Sequence, residues 1–258
     1  MSLSAARDNA TKIDWDSYTP PVAKHVGVRR VDAGIDVLRN YIDWTPFFMT
    51  WSLAGKYPRI LEDEVVGDEA KRLFADANAM LDKLSDEKAL TPRGVVGLFP
   101  ANRVGDDIHI FADEQRDTLN ISHHLRQQTE NRLCQLLSGR FCGAESSGKA
   151  DYIGAFAVTG GLEEMRWPRL TISWQDDYNK IMVKAIADRL AEAFAEYLHE
   201  QVRKTIWGLA PDESTSVMRR SSAKIIRAFA RRRAIRPVRN TLRKPLSGRC
   251  WMWKRTRV

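Results

Sequence analysis

Asp43 stands inside Asp43-Trp44-Thr45-Pro46-Phe47-Phe48-Met49-Thr50-Trp51. A carboxylate among aromatic rings is costly unless a cation or a donor satisfies it. Aromatic faces and one carboxylate together suit a cationic ligand. A capping or hydrogen-bonded aspartate beside an ordinary aromatic core is the competing reading, and spacing alone favours it. The other candidates are weaker. His123 and His124 lie beside Arg126 in a polar stretch, without further ligands at the spacing a metal needs. Cys134 and Cys142 are separated by seven residues, wider than a zinc knuckle. The sequence has no glycine-rich phosphate loop, nucleophile elbow or paired-carboxylate signature. From these residues alone no reaction is disclosed.

The elements that would position Asp43 are legible in the apolar spacing. Ile35, Leu38 and Tyr41 predict a short helix over 32–41, with Asp32 as a possible cap. Val65, Ala70, Leu73, Phe74, Ala77, Leu81 and Leu84 trace one stripe of a helix over 62–84, suited to packing on a sheet. The runs 94–99 and 108–111 read as an antiparallel pair on either side of a turn-like loop from Pro100 to Asp107. Residues 151–159 read as a buried strand closed by Gly160-Gly161. Ile181, Val183, Ile186, Ala187, Leu190, Phe194, Tyr197 and Leu198 mark a long amphipathic helix from Asp177 to about Trp207. Helices and strands mix without regular alternation, so the expected class is α+β: a mainly antiparallel twisted sheet with packed helices.

Composition narrows the alternatives. Of the 258 residues 43% are apolar, enough to bury a core. No apolar run approaches the roughly 20 residues needed to span a bilayer. The first residues lack the layout of a secretory signal, which makes the cytoplasm the expected location. Three cysteines, an odd number, argue against a disulfide framework. The net charge of +8 divides unevenly: residues 1–213 carry −7, whereas 214–258 carry +15 and no acidic residue. The expected organisation is a lead-in or linker over 1–29, containing Pro20-Pro21, then a domain over 30–213 and a basic tail over 214–258.

Tyr41-Ile42-Asp43-Trp44-Thr45-Pro46-Phe47-Phe48-Met49-Thr50-Trp51 closely resembles the C-terminal activation domain of cobalamin-dependent methionine synthase. The resemblance continues through Gly94 to Asp107, Ser122 to Thr129, Gly148 to Phe156, and from Asp176 to Gly208. It implies a module that binds S-adenosylmethionine and presents its methyl group to oxidised cobalamin, returning that cofactor to the cycle. The implied partners are the cobalamin-binding domain of the synthase, expected to lie outside these residues, and a flavodoxin-type reductase that supplies the electron. Asp43 matches the family aspartate that holds the ligand's amino group. A carboxylate near aromatic rings can pair with an ammonium, in agreement with that role.

Three segments depart from the family: 131–146, 165–175 and the tail. Each returns family sequence when plausible codons are read one or two bases out of frame, which marks them as frame-shifted. For Ala223 to Asn240 the shifted frame yields the family's second ligand-binding loop, which carries the arginine for the ligand carboxylate. Arg236-Pro237 imitates that motif, but Val238, Arg239 and Asn240 do not continue it, so the arginine's role is not assigned to Arg236. The resemblance also implies a later ligand-contacting strand, which is expected to fall beyond these residues.

The expected function is therefore a reactivation module, part of a methyltransferase of methionine biosynthesis, with weakened ligand binding and no turnover alone. A second reading is a nonspecific nucleic-acid or acidic-surface binder using Arg231-Arg232-Arg233, Trp251 and Trp253. Accidental arginine-rich translation of a shifted frame is preferred to it, so nucleic acid is not an expected partner. A third reading, an interaction module that docks its partners without using a ligand, is not separable from the first by sequence. The 131–146 and 165–175 segments are expected to be loop-like or poorly packed, with a marginal helix over 222–233.

Overall fold

A computed structural model of the chain describes residues 1–10, 13–128, 141–161 and 177–212, together with the backbone of 248–253. In chain order the regular elements are α1 (Leu3–Asp8), β1 (Gly27–Asp32), α2 (Ile35–Arg39), α3 (Thr45–Thr50), α4 (Gly67–Asp86), β2 (Arg93–Val104), β3 (Asp107–Phe111), β4 (Thr118–Ser122), β5 (Asp151–Thr159), α5 (Asp177–Gln201) and β6 (Gly248–Trp253). Every ladder is antiparallel, in the order β4-β3-β2-β5-β6, and β1 also pairs with β2. The class is the α+β arrangement expected from the sequence.

The strand β2 corrects one expectation. The chain does not leave the sheet at Pro100; it stays extended to Val104 and turns through Gly105 and Asp106 into β3, with Val104 opposite Asp107. Gly105 has φ +60°, the left-handed conformation a two-residue hairpin turn requires at its first position. A proline inside a central strand normally removes a ladder hydrogen bond. Here β5 pairs one edge of β2, while β1 pairs residues 93–98 and β3 pairs 101–104 on the other. Pro100 falls in the gap between β1 and β3, so no neighbouring strand needs the N–H it lacks.

One face of this sheet carries the main core. Val96 and Leu98 of β2 and Phe156 and Val158 of β5 are buried against Leu81 and Leu84 of α4 and Ile186, Leu190 and Phe194 of α5. The strand alternation puts Phe99, Ala101, Ile108, Ile110 and Ile153 on the opposite face, where with Cys142 they form a second, smaller cluster. Two residues assigned to the helix stripes lie outside them. Val65 is exposed because the helix begins only at Gly67, and Ile181 points outward while its neighbour Met182 is buried. Likewise Asp32 ends β1, and the cap of α2 is Gly34.

The lead-in is fastened to the body. Lys149 Nζ donates to the carbonyl of Trp15, to that of Asp16 at 3.2 Å and to that of Tyr18 at 2.8 Å. Trp207, 1% exposed, donates its indole N–H to Pro21 O, and Lys24 N–H returns a bond to Trp207 O. The described part of the first divergent segment, 141–146, is loop-like as expected, but its middle is packed. Cys142 and Ala144 are buried, and Asn102 donates to the carbonyls of Gly143 and Lys149 at 3.0 and 2.9 Å. The Asp151 carboxylate accepts the N–H groups of Gly143 and Tyr152, both at 2.8 Å, while burial pushes its pKa upward. Residues 165–175 and 222–233 lie outside the described residues.

Candidate functional site

The segment that carries Asp43 is held between α2 and α3 by contacts of two kinds. On the α2 side, Leu38 is fully buried, Arg39 pairs with Asp82 of α4 at 2.5 Å, and Ser85 donates to Asp36 at 3.1 Å. On the α3 side, Pro46 sits in the first turn, where its missing N–H has no intrahelical acceptor, so it starts the helix. Phe47 and Phe48 are fully buried and Trp44 is 6% exposed. The rings pack edge to face: Trp44 on Phe47 at 5.3 Å and on Phe74 of α4 at 4.9 Å, and Phe47 on Phe48 at 5.7 Å. They form the ordinary aromatic core that the competing reading of Asp43 expected.

Asp43 is exposed, in contrast to the buried carboxylate among rings that the local composition suggests. The turn between α2 and α3 sends Trp44 inward and Asp43 outward. Asp43 Oδ1 accepts the Thr45 N–H at 3.0 Å, and Oδ2 has no partner among the described residues. The geometry thus satisfies the hydrogen-bonded alternative, from the residue before the Trp44 cap of α3, and leaves an acceptor open to solvent. An ammonium could bind such a carboxylate without displacing a protein contact.

Around this point the structure joins residues far apart in sequence. Tyr41 Oη donates to Glu200 Oε2 at 2.6 Å, and Lys204 Nζ donates to Glu200 Oε1 at 2.5 Å; Glu200 is 7% exposed. Trp51 packs on Tyr178 at the start of α5, with ring centroids 5.0 Å apart. Tyr178 Oη donates to Asp76 at 2.6 Å, and burial followed by that bond pushes its pKa up to about 12. Sequence reasoning missed Glu200, although an acidic residue on the apolar stripe of α5 with Lys204 one turn on was a usable signal.

The remaining candidates resolve into ordinary structure. His123 Nδ1 lies 3.0 Å from Asp107 Oδ2, and the His124 N–H reaches Asp107 Oδ1 at 3.3 Å. The His123 contact holds the Asp107 carboxyl below its usual range. Cys142 is a buried free thiol, and Cys134 lies outside the described residues. Among the described residues no three His, Cys, Asp or Glu side chains group as a metal site would require. None of the described helices is long and apolar enough to cross a membrane.

The sequence profile of the vitamin B12 dependent methionine synthase activation domain matches residues 34–236. The chain belongs to this family. A crystal structure of the MetH reactivation domain bound to AdoHcy is 66% identical to the chain, with a TM-score of 0.81, covering 88% of this chain and 69% of that one. The antiparallel sheet with packed helices is therefore the activation-domain fold, and the motif Tyr41 to Trp51 lies within the matched span. That span runs past 213 and ends at Arg236, inside the basic stretch. No part of 213–236 is among the described residues.

Proposed function

We propose that the chain binds S-adenosylmethionine through Asp43 and serves as the reactivation module of a cobalamin-dependent methionine synthase. The placement of Asp43 carries the reading: an exposed carboxylate with Oδ2 open, in a chain 66% identical to a domain bound to AdoHcy. The carboxylate would take the ligand's amino group, and the Thr45 N–H fixes its orientation before the ligand arrives. When bound, S-adenosylmethionine supplies an electrophilic methyl group for a cobalamin held by another domain. Methyl transfer needs that domain, so this chain alone should bind without turnover. The cobalamin-binding domain and a flavodoxin-type reductase are the proposed partners, and the cytoplasm the proposed location.

The division into a lead-in at 1–29, an activation domain at 30–213 and a basic tail at 214–258 belongs to the same proposal. On this reading the arginine loop for the ligand carboxylate is not supplied intact. Losing a buried partner for a carboxylate costs about 2–5 kcal/mol, so affinity should fall by roughly tens to thousands of fold. Isothermal titration with S-adenosylmethionine, beside a family member carrying the intact loop, tests this. Weak, saturable binding supports the proposal; no heat at any accessible concentration, or affinity equal to the intact domain, refutes it.

A further inference from the structure

Resting on the ligand role of Asp43 proposed above, we infer that Glu200 is a positioning residue for that carboxylate and acts through Tyr41. Asp43 is exposed, so no packing holds its side chain; its position is set by the backbone of the turn that carries it. Trp44 anchors that turn on one side by apolar burial, which is strong but non-directional. Tyr41 anchors it on the other, two residues before Asp43, through a 2.6 Å bond from its hydroxyl to Glu200 Oε2. That bond is charge-assisted and directional. The Tyr41 ring is held in turn by an edge-to-face contact with Tyr197 at 5.6 Å.

Glu200 is costly where it stands. It is 7% exposed on the core-facing side of α5, and Lys204 one turn later answers its charge at 2.5 Å. A buried ion pair is weak evidence for stability, since an apolar side chain of similar volume often serves as well. What the carboxylate adds here is a fixed acceptor for one hydroxyl, 159 residues earlier in the chain. Helix α5 thereby becomes the rigid reference against which the Asp43 turn is located. Binding groups need placement to within a fraction of an ångström, so loosening this strut should weaken binding without unfolding the domain.

The test uses Tyr41→Phe, Glu200→Leu, Glu200→Gln and the double variant Tyr41→Phe/Glu200→Leu. Affinity for AdoHcy is measured well below each melting temperature, with exchange of the Thr45 amide, whose N–H bonds Asp43, read by NMR in the same samples. Tyr41→Phe and Glu200→Leu should each lower affinity roughly tenfold and speed Thr45 exchange by a similar factor. The double variant should be no worse than Glu200→Leu. Glu200→Gln, whose amide oxygen still accepts the Tyr41 hydroxyl, should recover most of both. Thr45 exchange unchanged in Tyr41→Phe and Glu200→Leu, or losses that add without rescue by Glu200→Gln, overturns the inference. Asp43→Asn binding AdoHcy like the parent would instead remove the ligand reading, and Thr45 exchange would still decide whether Glu200 positions the turn.

Discussion

Asparagine and alanine at Asp43 separate two jobs that the geometry assigns to one side chain. The first is to satisfy an N–H at the start of α3: from the residue before the Trp44 cap, Oδ1 accepts the Thr45 N–H at 3.0 Å. Alanine removes that acceptor. Losing a side-chain acceptor for an N–H of the first helical turn costs about 0.5–2 kcal/mol, and an exposed one on a six-residue helix belongs near the middle, about 1 kcal/mol. For a domain of this size that is a fall in melting temperature of roughly 2–4 °C. Asparagine keeps the acceptor, so its stability should stay within about 0.5 kcal/mol of the parent. The second job is to hold an ammonium. A hydrogen bond to a charged group contributes about 1.5–3 kcal/mol, and solvent at this exposed position favours the lower end. About 1.5 kcal/mol is roughly tenfold in dissociation constant. Asparagine should therefore bind AdoHcy roughly tenfold more weakly at unchanged stability, and alanine should lose both. Isothermal titration and thermal melts on the two variants decide it. An asparagine variant that binds like the parent, or one as unstable as alanine, would refute the assignment.

Other parts of the fold give equally sharp expectations. His199 is half-buried against the Phe156 ring, 5.2 Å between centroids, and desolvation there, aided by the nearby Arg203 charge, pulls its pKa down to about 4. The unfolded chain binds this proton near 6.5, so the contribution of neutral His199 is intact above pH 6.5 and lost as pH falls towards 4, about 3 kcal/mol in all; urea melts of His199→Gln across that window should show a flatter profile than the parent. Gly160→Ala places a Cβ 2.4 Å from the backbone oxygen of Ala187, a contact no rotamer relieves, and should cost about 1–3 kcal/mol in denaturant melts. Lys149→Met removes the donor to three lead-in carbonyls and should open a new protease site between residues 13 and 24 while leaving the core's melting cooperative.

Which parts of the fold were legible follows from how local the signal is. Strand β5 and the helices α4 and α5 were readable because a single period of apolar residues specifies each. The end of β2 was not, since Pro100 reads locally as a breaker and only the gap between two partner strands makes it tolerable. Nor was β1, whose pairing runs from Gly27 with Leu98 to Asp32 with Arg93, far along the chain. At the site, the aromatic run located Asp43, but composition could not tell which side chains turn inward; the backbone buries Trp44 and exposes its neighbour. Tyr41 to Glu200 and Lys149 to Trp15 are single bonds across more than a hundred residues, and no local pattern announces them. Residues 142–144 pack despite their divergence because Asn102 and Asp151, in strands of family-like sequence, supply the polar contacts.

Amide-resolved NMR of the whole chain titrated with AdoHcy tests most directly whether a ligand site survives at Asp43. Saturable shifts should concentrate on Asp43, Trp44 and Thr45, and in Asp43→Asn should need roughly tenfold more ligand to saturate. A spectrum in which these amides stay fixed while the ligand binds elsewhere, or does not bind at all, would contradict it.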